Sequence, residues 1–105
     1  MPKVSIIVAA YNIERYIERS LRSVINQTLN DIEIIIVNDG STDNTLKVIE
    51  NICEGDKRVK IINKKNGGLI EARKTGFKNS TGEYVLFIDG DDWLELNAVE
   101  ILYNN

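Results

Sequence analysis

The sequence predicts an α/β fold, a parallel sheet with helices packed on both of its faces. Short β-branched runs of nearly unbroken apolar character alternate with stretches of helical period. The alternation repeats four times within 105 residues, and each apolar run ends in a polar, turn-forming cluster.

Val4-Ser5-Ile6-Ile7-Val8-Ala9-Ala10 is the first such run, and a run this apolar suits a parallel strand buried on both faces. Ile13, Ile17, Leu21, Val24 and Ile25 then form one stripe, with Glu14, Arg15, Glu18, Arg19 and Arg22 mostly outside it, which predicts an amphipathic helix over about 13–26. Ile32 to Val37 is a second buried strand. Ser41-Thr42-Asp43 reads as a helix start, followed at helical spacing by Leu46, Ile49, Ile52 and Cys53 until Gly55. Val59-Lys60-Ile61-Ile62 is shorter and more polar, as suits a strand near an edge. Leu69 to Lys78 is expected to be a third helix, because Leu69, Ala72, Gly76 and Phe77 share a face. Tyr84 to Ile88 is the fourth strand, apolar enough to expect burial on both faces, and a last helix is expected to begin near Leu94. Right-handed crossovers between these strands give the parallel sheet.

Composition narrows the possible chemistry. With 43% hydrophobic residues, positions 1–105 form one small domain with room for one modest core. The net charge of −3, with no basic block beyond Lys64-Lys65, argues against nucleic acid as a partner. Histidine is absent, which excludes histidine bases and metal ligands, so any metal must be held through oxygen. The single cysteine, Cys53, lies among apolar helix positions and reads as a buried thiol. No apolar run reaches about 18 residues and no signal pattern opens the chain, so the simplest compartment is the cytoplasm.

Ligands of such sheets bind beyond the carboxyl ends of the strands, where the strand order reverses. The unusual polar residues fall there: Tyr11-Asn12 after the first strand, Asn38 to Asp43 after the second, Asn66-Gly67-Gly68 after the third and Asp89-Gly90-Asp91-Asp92 after the fourth. Asp89 and Asp91, spaced Asp-x-Asp, can grip one hard divalent cation that in turn holds a diphosphate; alternatively Asp91 or Asp92 caps the next helix. Asp39 sits at a strand end, where its carboxylate can accept hydrogen bonds from a nucleobase or ribose. Asp43 is read as structural. Gly67-Gly68 could offer backbone N–H groups to an anion or could simply be a loop needing positive φ. Arg73 could neutralise a diphosphate or pack over a base, or could be a solvated helix arginine. Trp93 could cover a ligand, though packing against the last helix is the simpler reading. There is neither a Gly-x-Gly-x-x-Gly nor a Gly-Lys-Ser/Thr fingerprint, which disfavours dehydrogenases and P-loop enzymes.

Four ordered segments, Val4 to Asn12, Ile36 to Asp43, Asn66-Gly67-Gly68 with Ala72 to Gly76, and Phe87 to Asp92, resemble the successive motifs of family 2 glycosyltransferases. The resemblance implies a GT-A fold with a Rossmann-like nucleotide-binding half, a nucleotide-sugar donor that is usually a UDP-sugar, and a Mn2+ or Mg2+ ion. It implies that Asp39 contacts the uracil, that backbone near Ala10 and Tyr11 lines the same base pocket, that Arg73 lies beside the nucleotide, that Asp89 approaches the ribose and that Asp91 coordinates the metal, with Asp92 assisting. Family members extend into an acceptor-binding half that carries the general base, which is expected beyond residue 105. The chain is therefore expected to be a nucleotide-diphospho-sugar-binding domain, truncated relative to the family and inactive alone. The complete enzyme would transfer the sugar, with inversion, to a saccharide, lipid-linked or protein-linked acceptor in cell-surface polysaccharide or glycan synthesis, at the cytoplasmic membrane face. Surface uncovered by truncation would favour self-association. The alternative is a non-catalytic nucleotide-binding or protein-interaction module on the same fold.

Overall fold

Two β-branched runs form the centre of the sheet, and every residue in both is buried: β1, Val4–Ala10, and β2, Ile32–Asp39. The computed structural model describes residues 1–105. Between and after these strands come α1 (Ile17–Ile25), α2 (Thr45–Cys53), β3 (Val59–Lys64), α3 (Leu69–Lys78), β4 (Tyr84–Asp89) and α4 (Ala98–Asn104). All strands are parallel, in the order β3-β2-β1-β4. The order reverses at β1: the chain moves outward through β2 and β3, then returns to place β4 on the other side.

Strand periodicity divides the core in two. Ile6 and Val8 of β1, with Ile34 and Ile36 of β2, pack under Ile17, Leu21 and Val24 of α1, Ile49 of α2 and Val99 of α4. On the opposite face Ile7 and Ala9 pack with Ile35 and Val37 of β2 and Ala72 of α3. The close seat of α3 depends on Gly76, where an added Cβ would stand 2.3 Å from Ile7 Cγ2. Cys53 is buried, and burial followed by the nearby Asp56 charge pushes its thiol up to about 11, so it is packing rather than chemistry. No helix is long and apolar enough to cross a membrane.

Three sequence expectations are corrected. α1 begins at Ile17, not 13: Tyr16 and Ile17 both donate to Ile13 carbonyl oxygen in a turn, and the N–H groups of Ile13 and Glu14 are held by Thr45 Oγ1, at the start of α2, and by Asp43 Oδ2 just before it. α4 begins at Ala98, not near Leu94. Ser23 Oγ accepts from Leu94 N–H at 3.1 Å and Gln27 Nε2 donates to Glu95 carbonyl oxygen at 2.7 Å, which ties 94–97 to the end of α1. β4 is an edge strand with Tyr84 57% and Phe87 43% exposed: Phe87 lies on the α3 side, where α3 sits over β1 and β2, and Tyr84 lies on the opposite face, where it meets Tyr103 of α4 edge to face. Apolar sequence signals what a strand could bury, not which neighbours it has.

At the amino end of the sheet, Ser5 and Glu33 are register partners on the α3 side. Glu33 is buried, and its carboxylate accepts from Ser5 Oγ at 2.6 Å and Thr81 N–H at 2.9 Å, with Lys60 Nζ 2.8 Å away. Burial pushes its pKa up, but the hydrogen bonds from Lys60, Ser5 and Thr81 outweigh that and hold it at about 2. The network joins β1, β2, β3 and the turn before β4.

Because the folded pKa lies below the ordinary value of 4.5, the stabilisation is present above about pH 4.5 and is lost as pH falls through about 2. Glu33→Gln should lower unfolding free energy at neutral pH by on the order of 3 kcal/mol, and the difference from wild type should vanish toward pH 2; urea titrations across that range check it, and a pH-independent difference would contradict the assignment. Gly76→Ala should cost about 1–3 kcal/mol through overpacking against Ile7, measured by the same titrations at pH 7.

Candidate functional site

The carboxyl ends of β1 and β4 flank the point where strand order reverses, the place where open parallel sheets leave a crevice. Ala9 lies opposite Asp89 in the β1–β4 register, and Ala10 opposite Asn38 in the β1–β2 register. The polar loops therefore meet around the end of β1. Asn12, at φ 49°, bridges two of them: its side-chain oxygen accepts from Thr42 N–H at 2.8 Å, and its own N–H donates to Ser41 Oγ at 3.0 Å. Asp43 accepts from Thr45 N–H at 2.9 Å at the first turn of α2, the structural role expected of it.

A cleft of about 330 Å³ opens between these loops, lined by Ala9, Ala10, Tyr11, Asp39, Asn66, Gly68, Leu69 and Ala72. Three of the sequence-derived residues, Ala10, Tyr11 and Asp39, thus share one pocket. Asp39 does not present a free carboxylate, however. It is only 3% exposed, and its Oδ1 accepts from Lys64 Nζ and Gly67 N–H at 3.0 Å each while Oδ2 accepts from Gly68 N–H at 3.0 Å. Burial pushes its pKa up, but Lys64 and the two amides outweigh this and hold the carboxyl below its ordinary range. The Gly67 and Gly68 amides, which the sequence left open as an anion cradle, are therefore occupied by Asp39.

Beside this cleft lies a second of about 400 Å³, lined by Arg73, Phe87, Ile88, Asp89, Asp92, Trp93 and Leu94. Arg73 reaches across from α3, its Nη2 donating to Asp89 Oδ1 at 3.0 Å, and its Nε is buried with no hydrogen-bond partner. Trp93 is not packed in the core: it is 45% exposed, with the Arg19 guanidinium carbon 4.2 Å from its ring centroid. That stacking pair joins α1 to the acidic loop and has no signature in spacing.

The acidic loop turns directly over the end of β1. Gly90 N–H donates to Ala9 carbonyl oxygen at 2.8 Å, and a Cβ at Gly90 would fall 2.3 Å from Ile13 Cδ1 and 2.9 Å from that same oxygen. Only glycine fits this approach. The turn brings carboxylate oxygens of Asp89, Asp91 and Asp92 within 4.8 Å of one another, with Asp91 and Asp92 exposed. Oxygens bound to a single Mg2+ or Ca2+ at about 2.0–2.6 Å stand no more than about 5 Å apart, so this all-oxygen set fits one hard divalent cation.

Sequence reasoning gave Lys64 no role and placed Asn66 only in the loop after the third strand, without its bond to Asp39. Asn66 Nδ2 donates to Asp39 carbonyl oxygen at 3.0 Å, and Lys64 is the register partner of Asp39, two residues past the expected end of its strand. Only the register reveals the pairing.

The family model described as glycosyl transferase family 2 matches residues 5–105. The chain is 46% identical over 101 residues to glycosyltransferase GlyA of Streptococcus pneumoniae serotype 4, covering 96% of this chain and 14% of GlyA. Among solved structures it superposes on S. aureus TarS 1–349 in complex with UDP-GlcNAc, with a TM-score of 0.90 and 33% identity, over 97% of this chain and 30% of that one. It also superposes on the mannosyltransferase PcManGT from Pyrobaculum calidifontis in complex with GDP-Man and Mn2+, with a TM-score of 0.84 and 27% identity, over 96% of this chain and 32% of that one. The chain thus spans less than a third of the length of each of these proteins. Its α/β sheet is the GT-A arrangement that these glycosyltransferases share, and the chain belongs to glycosyl transferase family 2.

Proposed function

We propose that residues 1–105 form the donor-binding portion of an inverting glycosyltransferase that uses a nucleotide-sugar, a UDP-sugar foremost. The observation that carries this reading is the meeting of the Ala10–Tyr11–Asp39 cleft with the Asp89–Asp91–Asp92 cluster at the reversal of strand order, with Arg73 between them. A base fits a cleft walled by backbone and small side chains, and the adjoining carboxylates suit a cation on the diphosphate. Arg73 supports the same placement, because its side chain is 41% exposed at the wall of the second cleft, where the guanidinium can meet a phosphate oxygen while Nη2 stays on Asp89. The UDP-GlcNAc complex of TarS and the GDP-Man and Mn2+ complex of PcManGT support it by analogy.

In this reading Ala10 and Tyr11 position the base, Asp89 faces the ribose and the cation, and Asp91 is the principal metal ligand, with Mn2+ or Mg2+ as the ion. A divalent cation held there supplies charge stabilisation for a departing diphosphate. Arg73 holds Asp89 in place and adds a second positive charge. Transfer also needs a base to deprotonate the acceptor hydroxyl, and we place that base, with the site for a saccharide, lipid-linked or protein-linked acceptor, outside these residues. The reaction would serve cell-surface polysaccharide or glycan synthesis from the cytoplasmic side.

Calorimetric titration of UDP should show affinity at least roughly tenfold higher with Mn2+ than without it, a coupling of about 1.4 kcal/mol. Asp91→Ala should remove that metal dependence while leaving the circular dichroism spectrum unchanged. Folded wild-type chain with no UDP binding, or with binding indifferent to both Mn2+ and Asp91→Ala, would favour a non-catalytic module.

A further inference from the structure

We propose that Lys64 is a positioning residue for the donor: its ammonium group locks Asp39 against the Asn66–Gly68 loop and so builds one wall of the base cleft. This rests on the donor-site reading above.

Asp39 and Lys64 are register partners at the last rungs of β2 and β3. They follow Val37 and Ile62 by two residues, so both side chains leave the sheet on the α3 side. Lys64 Nζ donates to Asp39 Oδ1 at 3.0 Å and to Lys65 carbonyl oxygen at 2.7 Å, which spends two of its three hydrogens inside the loop it braces. Asp39 in turn accepts from the consecutive amides of Gly67 and Gly68, and Asn66 Nδ2 closes onto the Asp39 carbonyl oxygen. The loop is thereby fastened to the end of β2 at three successive residues.

Gly67 is shaped for this arrangement, since a Cβ there would lie 2.9 Å from Lys64 Nζ. The fastening has a direct consequence for the cleft. Asn66 and Gly68 line it, and Gly68 carbonyl oxygen accepts the Ala72 N–H at 3.0 Å as the first bond of α3, so the same clamp sets where Leu69 and Ala72 stand. Without the ammonium, a carboxylate only 3% exposed keeps neutral donors alone, and a buried anion missing its counter-charge is costly enough to drive the loop apart. The Asn66–Gly68 wall would then no longer face Ala10 and Tyr11.

Three variants test this: Lys64→Met, which keeps the apolar stem, Lys64→Arg, which keeps the charge, and Lys65→Met, a control at the exposed neighbour. Amide hydrogen exchange at Gly67 and Gly68 is read in the nucleotide-free chain, UDP affinity by calorimetry, and folding by circular dichroism. Lys64→Met should speed exchange at both glycines and weaken UDP binding, each by roughly tenfold, as expected for loss of a charge-assisted hydrogen bond. Lys64→Arg should restore most of both, and Lys65→Met should match wild type. Faster exchange with unchanged UDP affinity would overturn the donor role of Lys64, and weaker UDP binding without faster exchange would overturn the clamp. Failure of the wild-type chain to bind UDP would overturn the donor-site reading, and the donor role of Lys64 with it, whatever the exchange rates show.

Discussion

Everything at the carboxyl edge depends on the parallel register of β1 with its two neighbours. That register sets Ala9 beside Asp89 and Ala10 beside Asn38, so the backbone end of one strand becomes the floor on which two loops meet. It is specified by burial on both faces: a slip of one residue would send Ile6 and Val8 to the α3 side and Ile7 to the α1 side, exchanging two cores of unequal size. The tight turn at Gly90 then has only one place to sit, under Ile13 and against Ala9 carbonyl oxygen. The clustering of three carboxylates follows from a packing constraint, before any ligand is considered.

β2 carries a buried carboxylate at each end, and the two solve the same electrostatic problem. Glu33 at the amino end and Asp39 at the carboxyl end are both held ionised by a lysine from β3 together with backbone and side-chain donors. Each fastens a loop to the sheet: Glu33 the turn at Thr81, Asp39 the turn at Gly67-Gly68. Buried ion pairs are weak evidence of net stability, because desolvation opposes the attraction. What they supply here is position, and at the carboxyl end the positioned loop is a wall of the cleft.

The strands were legible because β-branched runs have few other uses, and α3 was legible to the residue because Leu69 follows Gly68 directly and Lys78 precedes a turn. Helix starts at Ile17 and Ala98 were not, since the side chains that meet the backbone ahead of them, Thr45 at Ile13 and Gln27 at Glu95, are distant in sequence and leave no mark on periodicity. The edge position of β4 was hidden because pairing, not composition, decides it. At the site, the residue types and their loops were visible in the sequence, as were the acids around Gly90. The commitment of the Asp39 carboxylate to Lys64 was invisible, because it depends on a rung of the sheet beyond the expected end of β3. Trp93 was misplaced for a similar reason: its partner Arg19 lies on a helix face that spacing marks only as solvated.

The central claim is that the nucleotide and its metal sit at the reversal of strand order. Amide resonances of the 105-residue chain, followed as UDP and then substoichiometric Mn2+ are added, test it most directly. The account predicts UDP-induced shifts centred on Ala10, Tyr11 and Gly68, with paramagnetic broadening centred on Gly90, Asp91 and Asp92. Shifts centred instead on the apolar groove between β4 and α4, around Leu86, Val99 and Leu102, or broadening centred away from the acidic loop, would contradict it.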